Sequence, residues 1–150
     1  MPKISGRAKT KIGVWTFGTE VSRWNRGLVP ATKQNVESAE GFLRSRTPDG
    51  ETNFHGALRT ALDLGDGESY GPAFNETPDT LTFLTDGTAT VGEIIEADVL
   101  RRWYAGLARY ARIRTHTIAF GVLGVDERLL RGIAEDTGGT FVQVDEFRPK

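Results

Sequence analysis

Asp79-Thr80-Leu81-Thr82-Phe83-Leu84-Thr85-Asp86-Gly87-Thr88 sets the fold class. Apolar and β-branched residues run into an aspartate followed by a glycine. That is the pattern of a buried strand delivering one carboxylate to its C-terminal tip, where the glycine lets the chain turn sharply away. In open α/β sheets the ligand crevice lies outside such tips. Further back, Asp49-Gly50-Glu51-Thr52-Asn53 is a second polar turn that opens directly into a helix. Thr52 and Asp86 are expected to face the same site.

Downstream of this strand the periodicity changes to helical. A long helix is expected over about 97–112, with Leu100, Trp103, Leu107, Tyr110 and Ala111 facing inward. Thr115 to Phe120 reads as the next strand, closed by Gly121. Asp126 caps a short helix carrying Leu129, Leu130, Ile133 and Ala134, which Gly138-Gly139 ends before a last strand at 140–144. Strand, helix, strand, helix, strand argues an α/β fold. The sheet is doubly wound and mostly parallel, with right-handed crossovers and helices on both faces.

Upstream, a helix begins near Asn53 with Phe54, Ala57, Leu58, Ala61 and Leu62 as its buried stripe. The Gly- and Pro-rich residues 65–78 read as a surface insertion. Thr32 is the expected N-cap of a helix of about three turns, with Val36, Ala39, Phe42 and Leu43 on one face. Pro48-Asp49-Gly50 stops that helix. Lys11 to Phe17 alternates as one strand with Ile12, Val14 and Thr16 on one side, and Glu20 to Trp24 returns as a short edge strand. Residues 1–10 read as an irregular segment, 11–145 as one domain and 146–150 as a tail.

Composition narrows the function classes. A chain of 150 residues can bury a real core, and 38% hydrophobic with 26% charged residues is a globular balance. The formal net charge of -1 gives no general attraction to nucleic acid or to anionic membranes. With no cysteine there is no thiolate chemistry, disulfide or cysteine–zinc site. No apolar run is long enough to span a bilayer, so no direct membrane insertion is expected. The histidines, His55 and His116, have no paired spacing with each other or with a carboxylate, and both read as structural. Trp15, Trp24 and Trp103 read as packing residues.

Thr52 and Asp86 carry the chemistry. Both offer hard oxygen atoms of the kind that magnesium or calcium selects. The competing reading is local: Thr52 or Asn53 caps the following helix, and Asp86 stabilises its own turn.

Five segments together resemble a von Willebrand factor type A domain. They are Val14-Trp15-Thr16-Phe17-Gly18, Gly50-Glu51-Thr52-Asn53-Phe54-His55-Gly56-Ala57-Leu58, Phe83-Leu84-Thr85-Asp86-Gly87, Ile118-Ala119-Phe120-Gly121, and Leu130-Arg131-Gly132-Ile133-Ala134-Glu135-Asp136-Thr137-Gly138-Gly139. The resemblance implies a Rossmann-like, non-enzymatic interaction domain with a metal-ion-dependent adhesion site at the top of the sheet. Thr52 and Asp86 match two of the metal-ligand positions, with Mg²⁺ as the implied ion and a carboxylate of a protein partner completing its shell. Glu51, Asn53, Gly87 and Thr88 would form the partner-binding rim. It also implies a larger parent protein, bacterial and either envelope-associated or secreted.

The chain departs from the family in having no Asp-x-Ser-x-Ser motif, and no room before Lys11 for the strand and helix around it. It therefore resembles an N-terminally truncated member. The absent strand would lie between those at 11–17 and 80–85, and closure of these two is not expected. A missing N-terminal segment or another chain would complete the sheet. Two alternatives accompany this reading. One is a metal-independent structural module in a larger assembly. The other is a remnant of a haloacid-dehalogenase-like phosphatase, whose signature ends in Asp-Gly-Thr like Asp86-Gly87-Thr88. In that signature Leu84 stands at the position of the nucleophile, and leucine cannot attack a phosphoryl group.

Overall fold

The computed structural model describes residues 10–48, 50–62, 77–121 and 123–145. The expectations for residues 1–9, for most of the 65–78 insertion and for the tail at 146–150 fall outside these ranges.

The C-terminal half follows the pattern of its sequence. Three parallel strands lie side by side: β5 (Thr80–Thr85), β6 (Arg114–Phe120) and β7 (Phe141–Val144). The crossovers between them carry α3 (Ala97–Ala111) and α4 (Glu127–Thr137). Leu81, Phe83 and Thr85 pair in register with Thr115, Thr117 and Ala119, and all six are buried on one face. The helices lock onto that face through the strand hydroxyls. Tyr104 of α3 shares a 2.7 Å hydrogen bond with Thr115, and the Thr117 hydroxyl donates to the Leu130 carbonyl of α4 at 2.8 Å. Satisfying these hydroxyls is what allows two threonines in a dry core. α2 (Phe54–Ala61) joins the same core with Phe54 and Leu58, followed by Leu62.

One helix face is rotated from its expected position. Leu100, Tyr104 and Ala108, spaced four apart, are the fully buried residues of α3. Tyr110, expected inward, is 73% exposed. Trp103, Leu107 and Ala111 pack at the margin of the core. Tyr104 goes inside because its hydroxyl finds Thr115, a partner that helix periodicity cannot reveal.

The N-terminal half departs further. The single strand expected over 11–17 is two short ladders. β1 (Lys11–Ile12) pairs antiparallel with β4 (Val29–Pro30), and β2 (Trp15–Phe17) pairs with β3 (Val21–Arg23). The partner changes at Gly13, where Leu28 comes so close that any Cβ would crowd its side chain. The inward side is also opposite to the one expected. Phe17, rather than Ile12, Val14 and Thr16, joins the core, stacking on Phe83 at 5.1 Å and meeting Phe54 edge-on at 6.0 Å.

α1 (Lys33–Ser45) begins as expected, with the Thr32 hydroxyl accepting from the Asn35 amide at 3.2 Å. Its apolar face is only loosely covered: Ala39 is buried, whereas Val36 and Leu43 are exposed. α1 and α2 take opposite faces of the β2–β3 ribbon. Arg46, at the end of α1, donates to the Ser22 hydroxyl, while Phe17 on the other face meets Phe54 of α2. Helices therefore lie on both sides of the β-layer. Among the described residues, β2 and β5 do not pair; Phe17 stacks on Phe83 across the gap, and the 50–53 loop is hydrogen-bonded to both halves.

Candidate functional site

The loop at 50–53 is built to a fixed shape. Gly50 adopts φ +69°, a left-handed conformation that glycine takes at little cost, and a Cβ here would overlap the Thr19 hydroxyl. From one side the β2–β3 turn grips the loop. The Thr19 hydroxyl accepts from the Glu51 amide at 3.0 Å, and the Gly18 carbonyl accepts from the Asn53 amide at 3.0 Å. From the other side the β5–α3 connection grips it. The Thr52 amide donates to the Thr90 hydroxyl at 2.8 Å, and the Thr52 carbonyl accepts from Thr90 and Val91 amides at 2.9 and 3.3 Å.

Asn53, not Thr52, caps α2. Its side-chain oxygen accepts from the Gly56 amide at 2.7 Å, and its side-chain nitrogen donates to the Thr19 carbonyl at 3.1 Å. The turn after β5 is likewise stabilised by a neighbour of the expected residue, since the Thr85 hydroxyl accepts from the Gly87 amide at 3.2 Å. Both local duties that would have explained Thr52 and Asp86 are thus performed by other side chains. The Thr52 hydroxyl and the exposed Asp86 carboxylate have no hydrogen-bond or ionic partner among the described residues.

The two turns do converge. A Cβ placed on Gly87 would lie 3.5 Å from the Thr52 hydroxyl oxygen, so Thr52 is next to the Asp86–Gly87 peptide. Gly87 is not in a left-handed conformation, so it is not there to permit a sharp turn. What it provides is room beside the Thr52 oxygen. Glu51 and Thr88 are exposed on either side, and Asn53 is half-buried with its amide fully engaged. Thr19 and Thr90 position the loop and had no signal in the sequence, because each lies more than thirty residues from its partner.

Neither histidine joins this site as part of a metal cluster. The His116 ring nitrogen accepts from the Thr140 amide at 3.1 Å within the sheet, and His55 is buried against Trp103 with ring centres 4.5 Å apart. Among the described residues no three His, Cys, Asp or Glu side chains come together as a metal cluster. Where the two turns meet, the Thr52 hydroxyl and the Asp86 carboxylate are candidate donors to a cation. Both are hard oxygens that suit Mg²⁺, which keeps several of its own waters. No helix among the described residues is long and apolar enough to cross a membrane.

Curated relatives share this pattern of sequence. Inter-alpha-trypsin inhibitor heavy chain H1 of Mesocricetus auratus is 34% identical over 86 residues, 57% of this chain and 9% of that protein. Heavy chain H4 of Homo sapiens is 29% identical over 131 residues, 87% of this chain and 14% of that protein. The chain thus spans only about a tenth to a seventh of their length.

Solved structures share the fold. A von Willebrand factor type A structure from Catenulispora acidiphila superposes with TM-score 0.71 at 16% identity, covering 92% of this chain and 30% of that one. Proximal thread matrix protein 1 of the mussel byssus, in a form with a zinc-occupied MIDAS motif, gives TM-score 0.65 at 16% identity, covering 95% and 34%. The family model described as von Willebrand factor type A domain matches residues 7–142, and the chain belongs to that family.

Proposed function

We propose that this is a non-enzymatic protein-interaction domain whose recognition site is the rim formed by the 50–53 loop and the Asp86–Gly87 turn. One observation carries the reading. The Thr52 hydroxyl and the Asp86 carboxylate are unengaged among the described residues and belong to two turns that meet, while neighbours perform the structural duties around them. Thr52 and Asp86 would hold a divalent cation, Mg²⁺ by the hardness of the donors. When bound, the ion would offer a coordination position to a partner's carboxylate. Glu51 and Thr88 flank the position and would meet the partner's surface. Asn53 would act indirectly, by fixing the loop.

The test is thermal unfolding with Mg²⁺ and with a chelator. A ligand bound only by the folded state stabilises it by mass action. Mg²⁺ should therefore raise the melting temperature of the wild-type chain, and Asp86→Ala should abolish the shift without lowering the metal-free value. Equal melting temperatures in Mg²⁺ and chelator would count against a metal-bridged site.

A metal-independent structural module has its own support. The loop is clasped by Thr19 and Thr90 with no ion required for its shape. Partner binding that survives chelation and Asp86→Ala would favour that reading.

A further inference from the structure

The β6–β7 ladder opens on a side chain as well as on backbone. From Phe141 onward the two parallel strands pair in register, and one step earlier the Thr140 carbonyl accepts from the Thr117 amide at 2.9 Å. The Thr140 amide instead donates to the Nδ1 atom of His116, at 3.1 Å. The α4–β7 connection brings it there. Gly138 turns left-handed at φ +73°, and Gly139 passes so close to the Thr115 carbonyl that a Cβ would overlap it.

The two bonding groups of Thr140 respond oppositely to charge on the ring. An amide N–H can only donate, so Nδ1 is the bare nitrogen of a neutral imidazole whose proton sits on Nε2. The Thr140 hydroxyl lies 2.8 Å from the same Nδ1, and a hydroxyl can donate or accept. It can therefore bond the ring in either charge state, whereas the amide can bond it only in the neutral one. A proton added to Nδ1 ends the bond from the Thr140 amide and leaves the new N–H to donate to the Thr140 hydroxyl.

The surroundings add no second group of this kind. Thr115 and Thr117 bond to α3 and α4, so His116 between them lies on the other face of β6, half-buried. Thr82 of β5 is its register partner, and Arg114 and Ile118 flank it along β6. Val142 of β7 stands beside Ile118. The charged groups on the adjoining elements are Arg114, Asp79 just before β5, and Lys11 of β1, which lines a cavity with Thr82. Arginine, lysine and aspartate ordinarily keep one charge between about pH 5 and pH 8, and imidazole does not. We propose that His116 and Thr140 form a pH-operated catch at the start of the sheet's outer strand. It is closed while the imidazole is neutral, and its protonation frees the amide that leads into β7. The catch does not depend on a cation at the Thr52–Asp86 rim.

Amide hydrogen exchange of the whole chain, followed by NMR from about pH 8 to about pH 5, tests this. Each rate is divided into that of an unstructured chain at the same pH. Protection of the Thr140 amide should fall at least about fivefold across that range, the equivalent of one lost hydrogen bond. Amides of the β5–β6 ladder should keep theirs. His116→Phe removes the acceptor, so the Thr140 amide should be poorly protected throughout and show no step. Thr140→Val keeps the amide and should match the wild type at about pH 8. Nitrogen spectra of the wild-type ring at that pH should show Nδ1 without a proton, a readout that needs no variant to fold. Three results would each overturn the proposal. They are constant Thr140 protection in the wild type, a proton on Nδ1 at about pH 8, and a wild-type step surviving in His116→Phe.

Discussion

The two halves of this domain obey the same patterning rules with unequal success. From β5 to β7 each element meets its neighbour on a buried face, and Leu100, Tyr104, Leu130, Thr115 and Thr117 are sealed from solvent. From β1 to α1 the ladders are two or three residues long, and Leu43 of α1 remains 47% exposed. Amphipathic spacing is present in both. What differs is whether the apolar face has a surface to press against, and hydrophobic stabilisation scales with area removed from water, not with pattern. The seam between the halves is a cavity of about 510 Å³ beside β5, which Leu43 of α1 also lines.

The largest difference should appear when backbone contacts are challenged. A Cβ on Gly139 would overlap the Thr115 carbonyl of β6, and two backbones cannot part without breaking the α4–β7 connection. Gly139→Ala should cost about 3 kcal/mol or more, at the upper end of overpacking effects. Gly41 in α1 has open space around its Cβ position, and Gly41→Ala should be neutral or stabilising through helix propensity. Urea unfolding of both variants checks the contrast, and a destabilised Gly41→Ala would break it.

Cavity-forming changes come next. Leu130→Ala empties a fully buried site and should cost about 3 kcal/mol, within the usual span for buried leucine. Leu43→Ala removes a half-exposed side chain and should cost about 1 kcal/mol or less by area. The same urea measurement on this pair checks the contrast, and equal costs would break it.

Tyr104→Phe is a smaller probe of the tight half. It leaves the fully buried Thr115 hydroxyl without its partner, and should cost about 1–2 kcal/mol. Burial pushes the Tyr104 hydroxyl up to about 12, against the pull of its bond to Thr115. Its folded pKa lies above the unfolded value near 10. The stability tied to this proton is thus intact below about pH 10 and lost as pH rises towards 12. The phenylalanine variant should lack that alkaline loss, measured as unfolding midpoint against pH.

How far the sequence could be read follows the same division. The run from Asp79 to Thr88 and the caps at Thr32, Asn53 and Asp126 are local signals, and each is found where its residues placed it. Tyr104 was missed and Tyr110 misplaced because the deciding hydrogen bond joins α3 to β6, outside any helical window. The break at Gly13 was invisible because the Leu28 side chain that crowds this position comes from the residue just before β4, outside any local window. At the candidate site, Thr52 and Asp86 were legible as polar turn residues beside a sheet. The clasp formed by Thr19 and Thr90 was not, since threonine in a glycine-rich turn is unremarkable until its partner is known.

The smallest expected effect is electrostatic, and it tests whether ion pairs also divide between the halves. Arg101 of α3 grips Asp136 of α4 with two bonds, 2.7 and 2.9 Å long, and those bonds hold the Asp136 carboxyl below the usual carboxylate range. A depressed folded pKa contributes stability above the unfolded value near 3.9, and that contribution disappears as pH falls through the folded value. The stability gap between wild type and Asp136→Asn should therefore be constant from about pH 7 to 5 and shrink below about pH 4. Glu40 of α1 pairs with Arg44 one turn away at 3.5 Å, both side chains mostly in water, where such pairs are screened and worth little. Glu40→Gln should open no gap at any of these pH values, since nothing else in the described structure holds that carboxylate. A gap as large as that of Asp136→Asn would mean that α1 is fixed more firmly than its exposed face implies, and that the two halves differ in covered area alone.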